Sequence, residues 1–278
     1  MVVEAVPEGK YADVGKGIRM HYHEAGSGDR GTVLFVHGSG PGASGWSNFK
    51  GNYPALAERG YRTIVPDTMG YGYSSKPEQG AFSLDDVAAQ YKALLDAVGV
   101  DRVTVIGNSQ GGAIAITMAL NYPELVAKLV LMAPGGLETR ETYMEMEGIK
   151  AMIRVLYKEG ISKETMRKVF RLQLHDESKI TDEVIEERFQ VAMTQHKDNI
   201  ARIRVANQED RLPEIKCPVL CFWGANDKFC PPSGATKIAS RCPNSRTMLI
   251  SSCGHWVMVE YAKLFNQLTL QFLDNSLG

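Results

Sequence analysis

Ser109, Asp227 and His255 follow one another along the chain in the order that serine-based acyl chemistry uses on an α/β scaffold. Ser109 sits in "VIGNSQGG", residues 105–112, where an apolar run stops at a serine with glycines on both sides. Small neighbours allow a very tight turn and a close approach of other backbone. Gly107-Asn108-Ser109-Gln110-Gly111 therefore reads as G-x-S-x-G, the strand–turn–helix elbow that exposes a serine hydroxyl. An ordinary glycine-rich turn is the plainer alternative. A serine hydroxyl is a weak nucleophile until a base takes its proton, and the base needs an acid to orient it. His255 lies in "RTMLISSCGHW", after an apolar run and small residues, where such a base belongs. Asp227 lies in "VLCFWGANDKFCPP", three residues beyond the end of another run. An Asx turn is its plainer role.

The oxyanion formed on a carbonyl needs two backbone N–H donors, each worth roughly 3–4 kcal/mol in the transition state. Gln110, just after the nucleophile, supplies one. The segment "HGSGPGASGW", His37 to Trp46, is placed to supply the other, from Ser39 or, failing that, from Gly40.

These residues must be positioned by a sheet. "TVLFVHG", "RTIVPD", "RVTVIG", "KLVLMAP" and "CPVLCFWG" are apolar runs too short for helices and read as buried parallel strands. Between them lie helical periods such as "SLDDVAAQYKALLDAVG", capped by Ser83 or Asp85 and ended by Gly99. "GIRMHYHEAG" alternates as an amino-terminal hairpin would. The fold class is α/β, with a mostly parallel central sheet flanked by helices. From about Leu137 to Arg204 no strand signal appears, and amphipathic helical patterns take over. Ser162 and Thr181 are expected helix starts, although Thr165 and Val184 stand where a capping box wants Glu or Gln. A helical cap carrying Met144, Met146, Met152 and Met166 is thus inserted after the sixth strand, over residues 137–204. Residues 1–136 and 205–278 form the core.

Composition narrows the function classes. The chain has 278 residues, 44% hydrophobic and 23% charged, with Lys+Arg 31 against Asp+Glu 32, so a basic nucleic-acid surface is not expected. No signal pattern opens the chain and no run approaches a membrane span, so a cytoplasmic soluble protein is expected. Five cysteines with no C-x-x-C pair point to reduced thiols and against structural zinc. His21 and His23 form an H-x-H pair lacking a third ligand nearby, so no metal site is expected.

With nucleophile, acid, base and oxyanion segment in place, the chain resembles the α/β-hydrolases. More narrowly it resembles the meta-cleavage product hydrolases, which act on carbon–carbon bonds in bacterial aromatic and steroid ring degradation. The stretches that carry the likeness run nearly end to end: "HGSGPGASGWSNF", "PDTMGYGYSSKP", "GNSQGG", "LMAPGG", "MEGIK", "ITDEVIEERFQ" and "CGHW". The resemblance implies the α/β-hydrolase fold and a 2-hydroxy-6-oxo-dienoate substrate. It implies 2-hydroxypentadienoate and a carboxylic acid as products, no cofactor, and a homodimer or larger homo-oligomer. It also implies that Arg188 in "EERFQ" binds the substrate carboxylate, and that Asn108, Asn48 and Trp256 face the dienoate. Ser39 stands where several relatives have glycine, and Gln110 where Met or Phe is common. Both act through backbone, so the departures bear on the pocket for the 6-substituent, where "MAPGGL" and "MEGIK" lean towards bulky aryl or steroid-derived groups.

The main rival is a carboxylesterase or lactonase with the same triad, which would have no particular use for Arg188. A dehalogenase or epoxide hydrolase would place Asp at position 109. A non-catalytic receptor would not need Ser109, Asp227 and His255 together.

Overall fold

The computed structural model describes residues 6–196, 198 and 202–277. Eight strands form one sheet: β1 (Lys10–Asp13), β2 (Arg19–Ala25), β3 (Thr32–Val36), β4 (Arg62–Pro66), β5 (Val103–Asn108), β6 (Val126–Met132), β7 (Val219–Gly224) and β8 (Ser245–Ile250). Their spatial order is β1-β2-β4-β3-β5-β6-β7-β8. β1 and β2 pair antiparallel, as does β2 with β4, and every later pairing is parallel. The parallel strands are continuous apolar runs because both faces are covered. Val33, Phe35, Ile106, Val130 and Phe222 enter one hydrophobic cluster, while Leu34, Val36, Val105, Leu131 and Trp223 enter the other. Each fully buried side chain of this kind contributes about 1.5–3 kcal/mol.

The chain runs from β3 outwards to β4 and then returns to the far side of β3 to lay down β5. At such a reversal the loops leaving two neighbouring strands diverge to opposite faces, opening a crevice at their carboxyl ends. The register sharpens this. Val36 pairs with Gly107, Asn108 with Met132, Met132 with Phe222, and Gly224 with Ile250. The last residues of β3, β5, β6, β7 and β8 therefore finish along one edge, and the loops that follow them meet there.

The helices are α1 (Gly45–Phe49), α2 (Tyr53–Ala57), α3 (Leu84–Ala97), α4 (Gln110–Asn121), α5 (Arg140–Glu145), α6 (Glu147–Arg154), α7 (Lys163–Gln173), α8 (Asp182–Ala192), α9 (Ser233–Arg241), α10 (Val257–Glu260) and α11 (Ala262–Leu273). Ser83 caps α3, in a reciprocal pair with Asp86. Ser162 and Thr181 cap α7 and α8. At α7 the capping box is complete after all: Thr165 Oγ1 accepts the Ser162 N–H at 2.9 Å, so a hydroxyl does the work expected of Glu or Gln.

Two details differ from the sequence expectation. Ile203–Arg204 forms a short parallel pairing with Phe82–Ser83. Two residues are too few to leave a periodic signature, although Ile203 is buried. Within the helical pattern expected from Leu137 on, "YMEMEGIKAMIRVLY" is not one continuous helix but α5, a break at Met146 in extended backbone, α6, and then a wider turn over Val155–Glu159. The break serves the site: Gly148 N–H bonds Lys228 O at 2.9 Å, and a Cβ on Gly148 would stand 2.4 Å from the Phe229 ring. Only glycine lets α6 come down on the loop after β7.

Candidate active site

Ser109 occupies the sharp turn from β5 into α4, at φ 55° and ψ −121°, a left-handed conformation that a non-glycine residue adopts only where its surroundings enforce it. Three backbone bonds do so: Ser109 N–H to Met132 O at 3.0 Å, Gly135 N–H to Ser109 O at 2.8 Å, and Ala113 N–H to Ser109 O at 3.1 Å. Gly111 is required by proximity, since a Cβ there would lie 2.1 Å from Val36 O and 2.5 Å from His37 O. Ser109 itself stays partly accessible while its neighbours are buried.

The loops that carry Asp227 and His255 are held together by their own backbone. A Cβ on Gly224 would lie 2.0 Å from Gly254 O, and Asn226 N–H donates to Cys253 O at 2.9 Å. This brings Asp227 Oδ2 to 2.7 Å from His255 Nδ1, with both side chains almost wholly buried. The other carboxylate oxygen, Oδ1, accepts the N–H groups of Phe229 at 2.7 Å and Cys230 at 3.0 Å. Asp227 is therefore locked as an acceptor, so His255 Nδ1 must carry a proton and Nε2 is left as the basic nitrogen.

The segment after β3 is fixed by His37. Thr68 N–H donates to His37 Nε2 at 2.9 Å, so the ring proton sits on Nδ1 and is given to Gly38 O at 2.7 Å. Burial lowers the His37 pKa, which keeps this neutral form. Asp67, at the end of β4, accepts Gly45 N–H at 2.7 Å, Tyr73 N–H at 2.8 Å and His21 Nδ1 at 2.8 Å. Burial pushes its pKa up, but the hydrogen bond and charge of His21 outweigh that, leaving Asp67 below the usual carboxylate range. The H-x-H pair is thus divided: His21 is tied to Asp67, and His23 packs edge-on against it at 4.8 Å. Among the described residues no group of three His, Cys, Asp or Glu side chains could hold a metal ion.

Arg188, on α8, is buried, and its Nη2 donates to Ser47 O at 2.7 Å and Asn48 Oδ1 at 3.0 Å. Its guanidinium lies 4.3 Å from the Trp256 ring centroid. Among the described residues no carboxylate is hydrogen-bonded to it; Glu187 next door pairs instead with Lys50. Burial lowers the Arg188 pKa to about 10, so the charge persists at neutral pH. A buried cation is costly unless something anionic meets it. Asn108 is fully buried, and its Oδ1 finds no donor among the described residues. Asp227 meets His255 directly, Arg188 meets Asn48 and Trp256, and Asn108 Nδ2 donates to His255 O at 3.4 Å. Ser109 follows Asn108 on the elbow with its hydroxyl hydrogen-bonded to the Cys230 thiol rather than to His255, and Gln110, Ser39 and Gly40 lie on the flanking turns.

Some contacts gave no sequence signal. Phe229 stacks on His255, with centroids 5.2 Å apart and planes 25° apart. Glu260 on α10 clamps the loop that carries His255 to the turn after α7: Oε1 accepts Gly254 N–H at 2.6 Å, and Oε2 accepts the N–H groups of His175 and Asp176 at 2.7 Å each. His255 N–H also donates to Gln173 O at 2.7 Å. A carboxylate five residues after a histidine carries no pattern that marks it. Glu260→Gln turns an amide donor towards one of these N–H groups and is expected to destabilise the fold by about 1–2 kcal/mol in denaturant unfolding. An unchanged midpoint would remove the clamp from the account. All five cysteines are buried and unpaired.

The profile of the alpha/beta hydrolase fold family matches residues 31–158 and 186–262. The 2-hydroxy-6-oxononadienedioate/2-hydroxy-6-oxononatrienedioate hydrolase of Paraburkholderia phymatum is 38% identical over 276 residues, covering 95% of each chain. The 2-hydroxy-6-oxo-6-phenylhexa-2,4-dienoate hydrolase of Burkholderia cepacia is 36% identical, covering 92% of each. This chain is a meta-cleavage product hydrolase of the α/β-hydrolase fold. A crystal structure of a meta-cleavage product hydrolase from Pseudomonas fluorescens IP01 superposes on this hydrolase with a TM-score of 0.85 at 28% identity, covering 96% of this chain and 98% of that one. Among the hydrolase's described residues, no helix is long and apolar enough to cross a membrane.

Proposed function

We propose that this hydrolase cleaves the C5–C6 bond of a 2-hydroxy-6-oxohexa-2,4-dienoate, with Ser109 as nucleophile, His255 as base and Asp227 as its orienting acid. The observation that carries the reading is Arg188: a buried, charged guanidinium with no bonded carboxylate among the described residues, stacked on Trp256, the residue after His255. An ester's acyl chemistry gives such a cation nothing to do. A dienoate does, because breaking a C–C bond needs an electron sink, and the 2-oxo acid end supplies one only if it is held.

Arg188 binds the carboxylate, with Asn48, Asn108 and Trp256 around the dienoate. The dienol ketonises, leaving C5 saturated. Ser109 Oγ attacks C6 as His255 Nε2 takes its proton, and the new oxyanion is met by the N–H groups of Gln110 and Ser39. Ser39 is favoured over Gly40 because it is partly accessible, whereas Gly40 is buried facing Met152. The C5–C6 bond then breaks, its electron pair passing through the enone to the 2-oxygen, and the proton held by His255 passes to the departing dienolate, which frees Nε2 again. 2-Hydroxypentadienoate leaves and the acyl group stays on Ser109. Water gives a proton to His255, attacks the acyl carbon and releases the carboxylic acid, and the proton returns to Ser109 Oγ. Residues 137–204 act as the cap over this site, with 1–136 and 205–278 as core. A cytoplasmic homo-oligomer belongs to the same reading.

The test is loss of the yellow dienolate absorbance on mixing with 2-hydroxy-6-oxo-6-phenylhexa-2,4-dienoate, with a 4-nitrophenyl ester in parallel. Bleaching with acid release that disappears in Ser109→Ala is expected. Ester turnover without bleaching would turn the assignment to a carboxylesterase.

A further inference from the structure

A cavity of about 170 Å³ is lined by Arg188, Asn48 and Trp256 and extends past them to residues that the reaction sequence above does not use. Leu174, Val184 and Ala262 add apolar surface to its lining. Lys50 and Lys179 also line it, half-buried and exposed respectively, and Lys50 is paired with Glu187, which lines it too. For scale, an apolar cavity of about 150 Å³ admits a benzene ring. A five-carbon conjugated carboxylate is of that size, and the cavity offers it apolar walls, cations and the guanidinium that holds its carboxylate in the bound state.

We propose that this cavity is the release path of the dienoate product, and the path by which hydrolytic water comes in. This rests on the reading given under Proposed function. The chemistry makes such a path useful. After the C5–C6 bond breaks, the acyl group is still esterified to Ser109 and occupies the nucleophile's side of the site. The dienoate is a free anion at Arg188, and the acyl ester is out of reach of water until that anion has gone. A second opening at Arg188 lets the first product out past Lys50 and Lys179 without displacing the acyl group, and the emptied space admits the water that completes turnover.

Plugging the path separates release from bond cleavage. Val184→Trp and Ala262→Trp fill it while leaving Ser109, Asp227, His255 and Arg188 unsubstituted. In stopped-flow with 2-hydroxy-6-oxo-6-phenylhexa-2,4-dienoate, each is expected to bleach one equivalent at the wild-type rate and then turn over at least tenfold more slowly. Quenched samples should carry the benzoyl mass on the protein. Lys179→Glu, an exposed change with little bearing on folding, is expected to slow steady-state turnover about threefold at low ionic strength and not at high. Wild-type turnover in the plugged variants, an equal fall of burst and steady state, or a Lys179→Glu variant indistinguishable from wild type at low salt would each overturn the path. Failure of the wild-type protein to bleach the dienolate at all would instead overturn the assigned reaction.

Discussion

Asp227→Asn is expected to lower kcat for a 2-hydroxy-6-oxo-dienoate about 10⁴-fold with little change in KM, the scale on which such a substitution acts in a serine triad. The reason is a tautomer. Asp227 Oδ1 accepts the N–H groups of Phe229 and Cys230, so an asparagine must keep its carbonyl oxygen there. Its amide NH₂ then faces His255 Nδ1 at the 2.7 Å position now held by an acceptor oxygen. Two donors cannot share that contact, so the imidazole must move its proton to Nε2. In that form it cannot take the proton of Ser109. Steady-state kinetics beside a thermal melt would decide: an intact fold with less than a tenfold loss would mean that His255 is not the base, or that Asp227 does not set its proton.

Arg188→Ala is expected to cost roughly 3–4 kcal/mol of transition-state stabilisation, about 10²–10³-fold in kcat/KM for the dienoate, in line with truncating one member of a buried charge pair. Turnover of a small 4-nitrophenyl ester should change by less than about threefold, because that reaction places no carboxylate near the guanidinium. Arg188→Lys should recover only part of the loss. A single ammonium cannot keep both Ser47 O and Asn48 Oδ1 while presenting a planar fork to a carboxylate, and it stacks less well on Trp256. A parallel fall in both activities would show Arg188 supporting the cap rather than the substrate.

Much of the architecture was legible because the signals are local. The parallel strands are short apolar runs, the elbow is a strand end with glycines around a serine, and α3, α7 and α8 begin at hydroxyl caps. Each depends on neighbours within a few residues, which is the range over which a sequence pattern is visible. The order of Ser109, Asp227 and His255 could be placed at strand ends for the same reason. Local rules also misled where an unlisted side chain could play the same part, as Thr165 does in the α7 cap. They missed the short pairing of Ile203–Arg204 with Phe82–Ser83, which exists only because distant chain segments lie side by side.

The sequence by itself determined the element types, the mostly parallel sheet, the glycine turn that exposes Ser109 and the residue types available to do chemistry. Tertiary structure alone decided which of them meet. The reversal at β3 opens the crevice, the common register of five strand ends delivers their loops to it, and Gly224 lets the loops that carry Asp227 and His255 touch. The break at Met146 lowers α6 onto Phe229 and so onto His255. Arg188 becomes a buried cation awaiting an anion only when α8 folds over Ser47 and Asn48, more than a hundred residues earlier in the chain. Such facts have no sequence pattern, because burial and the state of a buried charge are set by what packs against a residue in space rather than by what precedes and follows it.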